Sequence, residues 1–333
     1  MEPVKRRHSS TTRPKISVLM MAYNHEAFIA QAVESVVMQD TEFDYEIVIG
    51  EDCSTDRTRQ ILLDFQRRHP DRIRLLLPDQ NLGPHQNFVQ TLQACQGEYT
   101  AMLEGDDYWT SPHKLQNQVA FLDTHPECAM CFHPVTKFYE DGSQQPTQFP
   151  PRGMMVRTLE DLFKRNLIQN CSVLFRRDLI AEIPPWMGSL KMGDWPLFIL
   201  IAEHGDIGYL DEVMAAYRVH PGGSWSMKSE AAVLQEGIKM LKQVDEHFEF
   251  KYHPTINKIR FACQCEVAWA YAKVGAFPEA WGIARQCMAT CPPNRYAYGQ
   301  VVKMLLRLRA PRIYYFLQSF RPRCSLSRRE PAP

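Results

Sequence analysis

Leu103-Glu104-Gly105-Asp106-Asp107-Tyr108-Trp109 packs three carboxylates into four positions, the most chemically loaded stretch of this chain. A strand-like approach through Tyr99, Ala101, Met102 and Leu103 delivers them, and two aromatics follow at once. Crowded carboxylates repel and raise one another's pKa, whereas a hard divalent cation turns the repulsion into ligation. The stretch therefore reads as a metal platform for Mn²⁺ or Mg²⁺ at the end of a strand. A solvated acidic turn capping a helix that starts near Pro112 would show the same residues, because acidic side chains favour helix N-termini. The elements around the stretch have to decide.

Those elements alternate strand and helix. Ile16 to Ala22 is nearly continuous in apolar residues, as expected of a central parallel strand covered on both faces. It ends at Tyr23-Asn24-His25, and Phe28, Ile29, Ala32, Val33, Val36 and Val37 then recur at helical spacing, with Asn24 as the expected N-cap. A second strand, Tyr45 to Gly50, runs into Glu51-Asp52-Cys53-Ser54-Thr55-Asp56 and a helix carrying Ile61, Leu62 and Phe65. A third, Ile73 to Leu77, leads to Asn81-Leu82-Gly83-Pro84 and a helix that Gly97 is expected to close. The fourth delivers the carboxylates. This order implies a parallel sheet with right-handed crossovers, and such sheets bind ligands beyond the carboxyl ends of their strands. Asn24, Asp52, Asn81 and Asp106 all fall at those ends, which makes one candidate site of four separate polar residues.

Composition sets the bounds. The 333 residues, 45% hydrophobic and 23% charged, can bury one large or two modest cores. A net charge of zero lacks the electrostatic footprint of a general nucleic-acid binder. No apolar run reaches the ~18 residues that a membrane-spanning helix needs. The ten cysteines form no framework: Cys128 and Cys131, three apart in a strand-like run, point to opposite faces, and the others lack partners at zinc-binding spacing. They read as core thiols in a reducing, cytoplasmic compartment. Asn170-Cys171-Ser172 matches a glycosylation acceptor, but nothing else indicates secretion.

Residues 1–14, basic and rich in Ser and Thr, read as a disordered arm, 15–225 as an α/β domain and 226–333 as an all-helical appendage. Helices are expected over Ala232–Phe248, Thr255–Val274, Pro278–Ala289 and Tyr296–Phe320. The last, basic and amphipathic over Val301–Arg309 with Arg312, Arg321 and Arg323 beyond, suits peripheral contact with the cytoplasmic face of an anionic membrane, although packing on a neighbouring helix with Lys and Arg outward explains the same pattern.

From Ile16 to His220 the chain resembles family 2 glycosyltransferases, inverting, metal-dependent enzymes of the GT-A fold that use a nucleotide-diphosphate sugar. Four pieces carry the resemblance. Val18 to Asn24 looks like the first strand, whose end lies against the nucleotide base. Glu51 to Asp56 looks like the acidic turn after the second strand, where Asp52 takes the place of the base-contacting aspartate. Leu103 to Asp107 looks like the metal motif. Met192-Gly193-Asp194-Trp195 and Tyr217-Arg218-Val219-His220 look like the catalytic-base segment and the diphosphate-facing loop downstream.

The resemblance implies a site. Asp194 is the expected general base, and the bland reading of that residue is a helix N-cap with Pro196 in the first turn. Ala22, Tyr23, Asn24, Glu26, Asp52, Asn81, Gly83, Glu104, Gly105, Asp106 and Arg218 are expected around the donor. Asp106, Asp107 and His220 are expected around the metal. The implied partners are a nucleotide-diphosphate sugar, a UDP-sugar in the first instance, and a glycan or lipid-linked acceptor in cell-surface glycan or polysaccharide synthesis.

Several positions depart from the pattern. Glu51 and Glu104 replace aspartates, Cys53 replaces a common glycine, and Gln86 lies near where many relatives carry a basic residue. The Gln-x-x-Arg-Trp motif of processive synthases is absent, which implies one sugar per encounter. A sugar-1-phosphate nucleotidyltransferase would need a Gly-rich basic loop after the first strand, where this chain has Tyr23-Asn24-His25-Glu26. A non-catalytic sugar-nucleotide or glycan-binding module would not need Asp194 together with Arg218 and His220. Trp225, in the Gly-rich stretch after His220, suits either a closing lid or a linker.

Overall fold

The structure, a computed structural model, describes residues 13–180, 182–223 and 228–310; Trp225, most of the basic arm and the chain after 310 lie outside the described residues. The chain divides into two compact units, Met1–Met227 and Lys228–Pro333.

The first unit runs β1 (Ile16–Ala22), α1 (Ile29–Val37), β2 (Tyr45–Glu51), α2 (Thr58–Arg68), β3 (Ile73–Leu76), α3 (Pro84–Ala94), β4 (Tyr99–Glu104), β5 (Tyr108–Trp109), α4 (Lys114–Thr124), β6 (Cys128–Phe132), β7 (Val135–Tyr139), β8 (Thr147–Phe149), α5 (Leu159–Lys164), β9 (Leu174–Arg176), α6 (Asp194–Ala202), β10 (Asp206–Tyr209) and β11 (Ala215–Val219). Seven strands form the main sheet in the order β10-β6-β9-β4-β1-β2-β3. β4, β1, β2 and β3 are mutually parallel, as the alternation requires. The core lies on both faces of β1, where Ile16, Val18 and Met20 on one face and Ser17 and Leu19 on the other are buried.

Four features differ from the sequence reading. The expected strand near Ser172–Phe175 exists as β9, but it is inserted antiparallel between β4 and β6. A second, four-stranded sheet, β5-β11-β7-β8, carries Tyr108-Trp109 and Tyr217-Arg218, which have no strand-length pattern of their own. Asn24 does not cap α1. Its backbone is left-handed (φ 54°), its Oδ1 accepts the Thr55 N–H, and the helix starts only at Ile29. Gly97 likewise closes no helix. α3 ends at Ala94, and a Cβ at Gly97 would lie 2.3 Å from the Ser17 nitrogen, so glycine is required for contact with β1.

The second unit packs α7 (Glu230–His247), α8 (His253–Lys273), α9 (Phe277–Ala289) and α10 (Arg295–Arg309), each beginning within two residues of its expected start. Phe261, Cys265, Ala268, Ala284, Cys287 and Met304 form its core. No described helix is long and apolar enough to cross a membrane.

Candidate active site

Asp106 stands where β4 ends. The chain can turn there because Gly105 has no side chain: a Cβ would meet His25 Nδ1 at 2.7 Å, Ile29 Cδ1 at 2.8 Å and the Met21 carbonyl at 3.1 Å. Gly105→Ala should therefore displace the acidic loop and cost about 1–3 kcal/mol by overpacking. A thermal melt unchanged from the parent would contradict that close approach. Asp106 Oδ2 lies 3.0 Å from Nε2 of His220, carried just past β11, and 4.0 Å from Nε2 of His25. Burial pushes the Asp106 carboxyl up, but the His220 hydrogen bond and the charges of His25 and His220 offset this and hold it below its ordinary value.

Asp107 is placed differently from its neighbour. It is 3% exposed and its Oδ1 accepts the Arg218 backbone N–H at 2.8 Å, which docks β11 onto the acidic loop. Burial, reinforced by Asp106, pushes its carboxyl well above the ordinary range. One carboxylate of the pair is thus held ionised beside two imidazoles, while the other is used inside the protein.

Arg218 is also an internal brace. Its Nε donates to the Asp106 carbonyl at 2.9 Å, one Nη donates to Gln31 Oε1 at 2.7 Å, and the other pairs with Glu140. The guanidinium lies over the rings of Phe28 and Phe138, 4.6 and 5.0 Å from their centroids. Three of the five N–H groups of an arginine are taken in this way, and what they hold is the peptide of Asp106. Trp109 anchors the far side of the loop: it is 1% exposed, and its Nε1 donates to the Cys171 carbonyl at 2.9 Å.

Asp194 opens α6 as its first helical residue, after Gly193 at the cap position. The bland N-cap reading is therefore displaced by one position. Trp195 Nε1 donates to the Leu162 carbonyl at 2.7 Å and fastens the start of α6 to the end of α5. Burial raises the Asp194 carboxyl, against the opposing hydrogen bonds of the Trp195 N–H and Asn166. Glu104 completes the acidic group. Its carboxyl is pushed up to about 8 by burial, with Asp106 and then Asp194 adding to the shift. Asp106, Glu104 and Asp194 thus form one electrostatic cluster.

The residues expected around the donor form a floor from three loops. Asn24 binds Thr55 as described, and Glu26 Oε2 accepts the Arg57 N–H at 3.0 Å, so the loop after β1 is tied to the loop after β2. The Asp52 carboxylate accepts the Leu82 and Gly83 N–H groups at 2.7 and 3.0 Å, while Asn81 Nδ2 donates to the Asp52 carbonyl at 2.8 Å. That ties in the loop after β3. Glu51 is fully buried and pairs with Arg59. Ala22 is buried beneath the floor, and Tyr23, 44% exposed, lies on it. The topology therefore brings the loops after β1, β2, β3 and β4 together, and Asp52, Asn81, Asp107 and Arg218 are engaged in building that edge.

Asn166, Asn170 and Tyr217 escaped the sequence reading. Asn166 Nδ2 donates to Asp194 Oδ2, and Asn170 Nδ2 donates to Glu104 Oε1. Burial raises the Tyr217 hydroxyl, and the carboxylates of Asp107, Asp106 and Asp194 add to the shift. Asn170 carried only a glycosylation-type signal and Tyr217 only its place beside Arg218. Asn166 carried none.

A divalent cation fits what is present. Asp106 Oδ2 and His220 Nε2 have the separation of about 3 Å expected of adjacent ligands at bond lengths near 2.1 Å. Among the described residues no group of three His, Cys, Asp or Glu side chains is arranged to hold an ion unaided. A two-ligand protein site is the kind that substrate phosphates complete.

Comparison with known proteins gives a family and a fold. The family model described as glycosyl transferase family 2 matches residues 17–183. An uncharacterized protein of Mycobacterium bovis is 41% identical over 216 residues, 63% of this chain and 60% of that relative, so the match leaves much of the relative uncovered. Among solved structures, a mannosyltransferase from Pyrobaculum calidifontis in complex with GDP-Man and Mn²⁺ aligns with a TM-score of 0.59 at 18% identity over 93% of this chain and 84% of that one. S. aureus TarS in complex with UDP-GlcNAc aligns at 0.52 and 18% over 81% and 90%. The fold is of the GT-A type.

Proposed function

The chain belongs to glycosyl transferase family 2, and from that premise we propose that it moves one sugar from a nucleotide-diphosphate donor to an acceptor hydroxyl with inversion at the anomeric carbon. The observation that carries this reading is that Asp106, hydrogen-bonded to His220, and the half-buried Asp194 both act on Glu104 at the end of β4. Asp106 and His220 would hold Mn²⁺ or Mg²⁺, which when bound neutralises negative charge growing on the departing diphosphate. Asp194 takes the proton of the attacking acceptor hydroxyl as the new glycosidic bond forms and the bond to the diphosphate breaks. The floor of Tyr23, Asn24, Asp52, Asn81 and Gly83 receives the nucleotide. Asp107 and Arg218 keep the Asp106 loop in place.

The solved neighbours were captured with GDP-Man and with UDP-GlcNAc, and a UDP-sugar is the donor we propose first. The test is release of nucleotide from UDP-N-acetylglucosamine and GDP-mannose with Mn²⁺ or Mg²⁺, with and without EDTA. Release that chelation leaves unchanged would remove the metal from the reading.

A lipid-linked acceptor of cell-surface glycan synthesis at the cytoplasmic face of a membrane is the finer part of the proposal. α10 buries Ala297, Val301, Met304, Leu305 and Leu308 on its own unit and turns Arg295, Tyr298, Val302 and Arg309 to solvent. From residue 295 onward the sequence holds nine basic residues against one acidic, in a chain of zero net charge. An apolar stripe flanked by arginines suits an anionic bilayer surface. Full-length protein should co-sediment with phosphatidylglycerol-containing vesicles and not with phosphatidylcholine alone, and Val302→Asp should weaken this. Equal binding to both vesicles would end the proposal.

A further inference from the structure

The short segment after α5 supplies two carboxamides to two acidic groups of the site. Asn166 is fixed in orientation, because its Oδ1 accepts the Ile168 N–H at 2.9 Å and its Nδ2 must then point at Asp194 Oδ2, 3.2 Å away. Asn170 places its Nδ2 2.9 Å from Glu104 Oε1. The segment between and after them is itself held. Leu167 and Ile168 are buried, the Cys171 carbonyl accepts Trp109 Nε1, and the Ser172 carbonyl accepts Gln118 Nε2 at 2.9 Å. A nucleophile or base oriented by a third group that is fastened elsewhere is the arrangement that keeps a reacting carboxylate in one rotamer.

Resting on Asp194 as the base, we propose that Asn166 is a positioning residue for sugar transfer: its carboxamide pins Oδ2 of Asp194 and leaves Oδ1 to receive the acceptor's proton. Asn166 touches neither donor nor metal ligand among the contacts described. It acts by restricting the rotation of Asp194 and by donating to the ionised form. The groups that share the electrostatic surroundings of Asp194 are Glu104 on β4 and Tyr217 on β11, together with the Trp195 N–H on α6. Asn166 is the neutral side chain that donates a hydrogen bond to Asp194.

Asn166→Asp tests this with little change of shape. The new carboxylate still accepts the Ile168 N–H, so the turn survives, but an acceptor now faces Asp194 where a donor stood. With nucleotide release from UDP-N-acetylglucosamine as the readout, kcat should fall about 10- to 100-fold, the range set by a lost hydrogen bond to a charged group, with KM for the donor unchanged. The acid limb of the pH profile should move to higher pH. The Asp194 carboxyl carbon, observed by NMR in ¹³C-aspartate-labelled protein and assigned by its loss in Asp194→Asn, should titrate at higher pH than in the parent, a readout that needs no substrate. Asn166→Ala provides the second variant and should move both quantities in the same direction. Unchanged kcat and unchanged Asp194 titration in both variants would overturn the positioning role, and so would a loss of kcat with no movement of the titration. If Asp194→Asn itself leaves nucleotide release intact, the base assignment fails instead, and the two failures are told apart by that single control.

Discussion

Asp194→Asn is expected to lower sugar transfer by about 10²- to 10⁴-fold, the usual contribution of a positioned base, while the melting temperature stays level or rises. The two effects share one cause. Burial disfavours the charged form of Asp194 and raises its carboxyl in the folded protein. A carboxyl raised in this way stabilises the fold most when protonated, below its unfolded pKa, and that stability is lost as pH rises through the folded value. At neutral pH the ionised carboxylate is therefore a strain that asparagine relieves, and asparagine can still meet Asn166 through its amide oxygen. Catalysis has the opposite requirement, since only the ionised form accepts a proton. Transfer should accordingly fall as pH drops through a value raised above that of an ordinary aspartate. Donor affinity, transfer rate and melting temperature measured on one preparation check this. A proportionate loss of all three would make Asp194 structural, and a parental rate would place the base elsewhere.

Asp106→Ala should abolish metal-dependent donor binding and lower transfer by about 10³-fold or more, since a bound cation supplies several kcal/mol of charge stabilisation. Asp107→Ala should behave differently although it is the adjacent carboxylate. It removes the acceptor of a buried Arg218 N–H, and a buried donor left without a partner costs about 1–3 kcal/mol of stability. Calorimetry with Mn²⁺ and UDP-N-acetylglucosamine, beside thermal melts, separates the two. The site described here requires that Asp107→Ala lose stability first and donor binding only as β11 loosens. If it loses metal-dependent binding with an unchanged melt, Asp107 is a ligand after all.

Much of this was legible in the sequence because parallel α/β structure writes its pattern locally. A doubly covered strand must be apolar throughout, and a crossover helix must carry a 3.6-residue stripe, so β1 to β4 and their helices could be read from short windows. The carboxyl-end rule then gathered Asn24, Asp52, Asn81 and Asp106 without any contact being known. The helices of the second unit were legible for the same reason.

What the tertiary structure alone decided is how each polar side chain is spent. Asp106 and Asp107 are chemically alike and adjacent, and only the docking of β11 makes one face His220 while the other accepts an N–H from the interior. Arg218 reads from sequence as a phosphate donor, and only the packing of Phe28, Phe138, Gln31 and Glu140 around it makes it a brace for Asp106. β9 and the four-stranded sheet are too short to announce pairing partners, since a three-residue strand has no register until its neighbours supply one. Asn166 meets Asp194 across 28 residues. Sequence determines which groups are available at an edge of the sheet, but a hydrogen bond is a matter of a few tenths of an ångström, and only the assembled packing sets distances that fine.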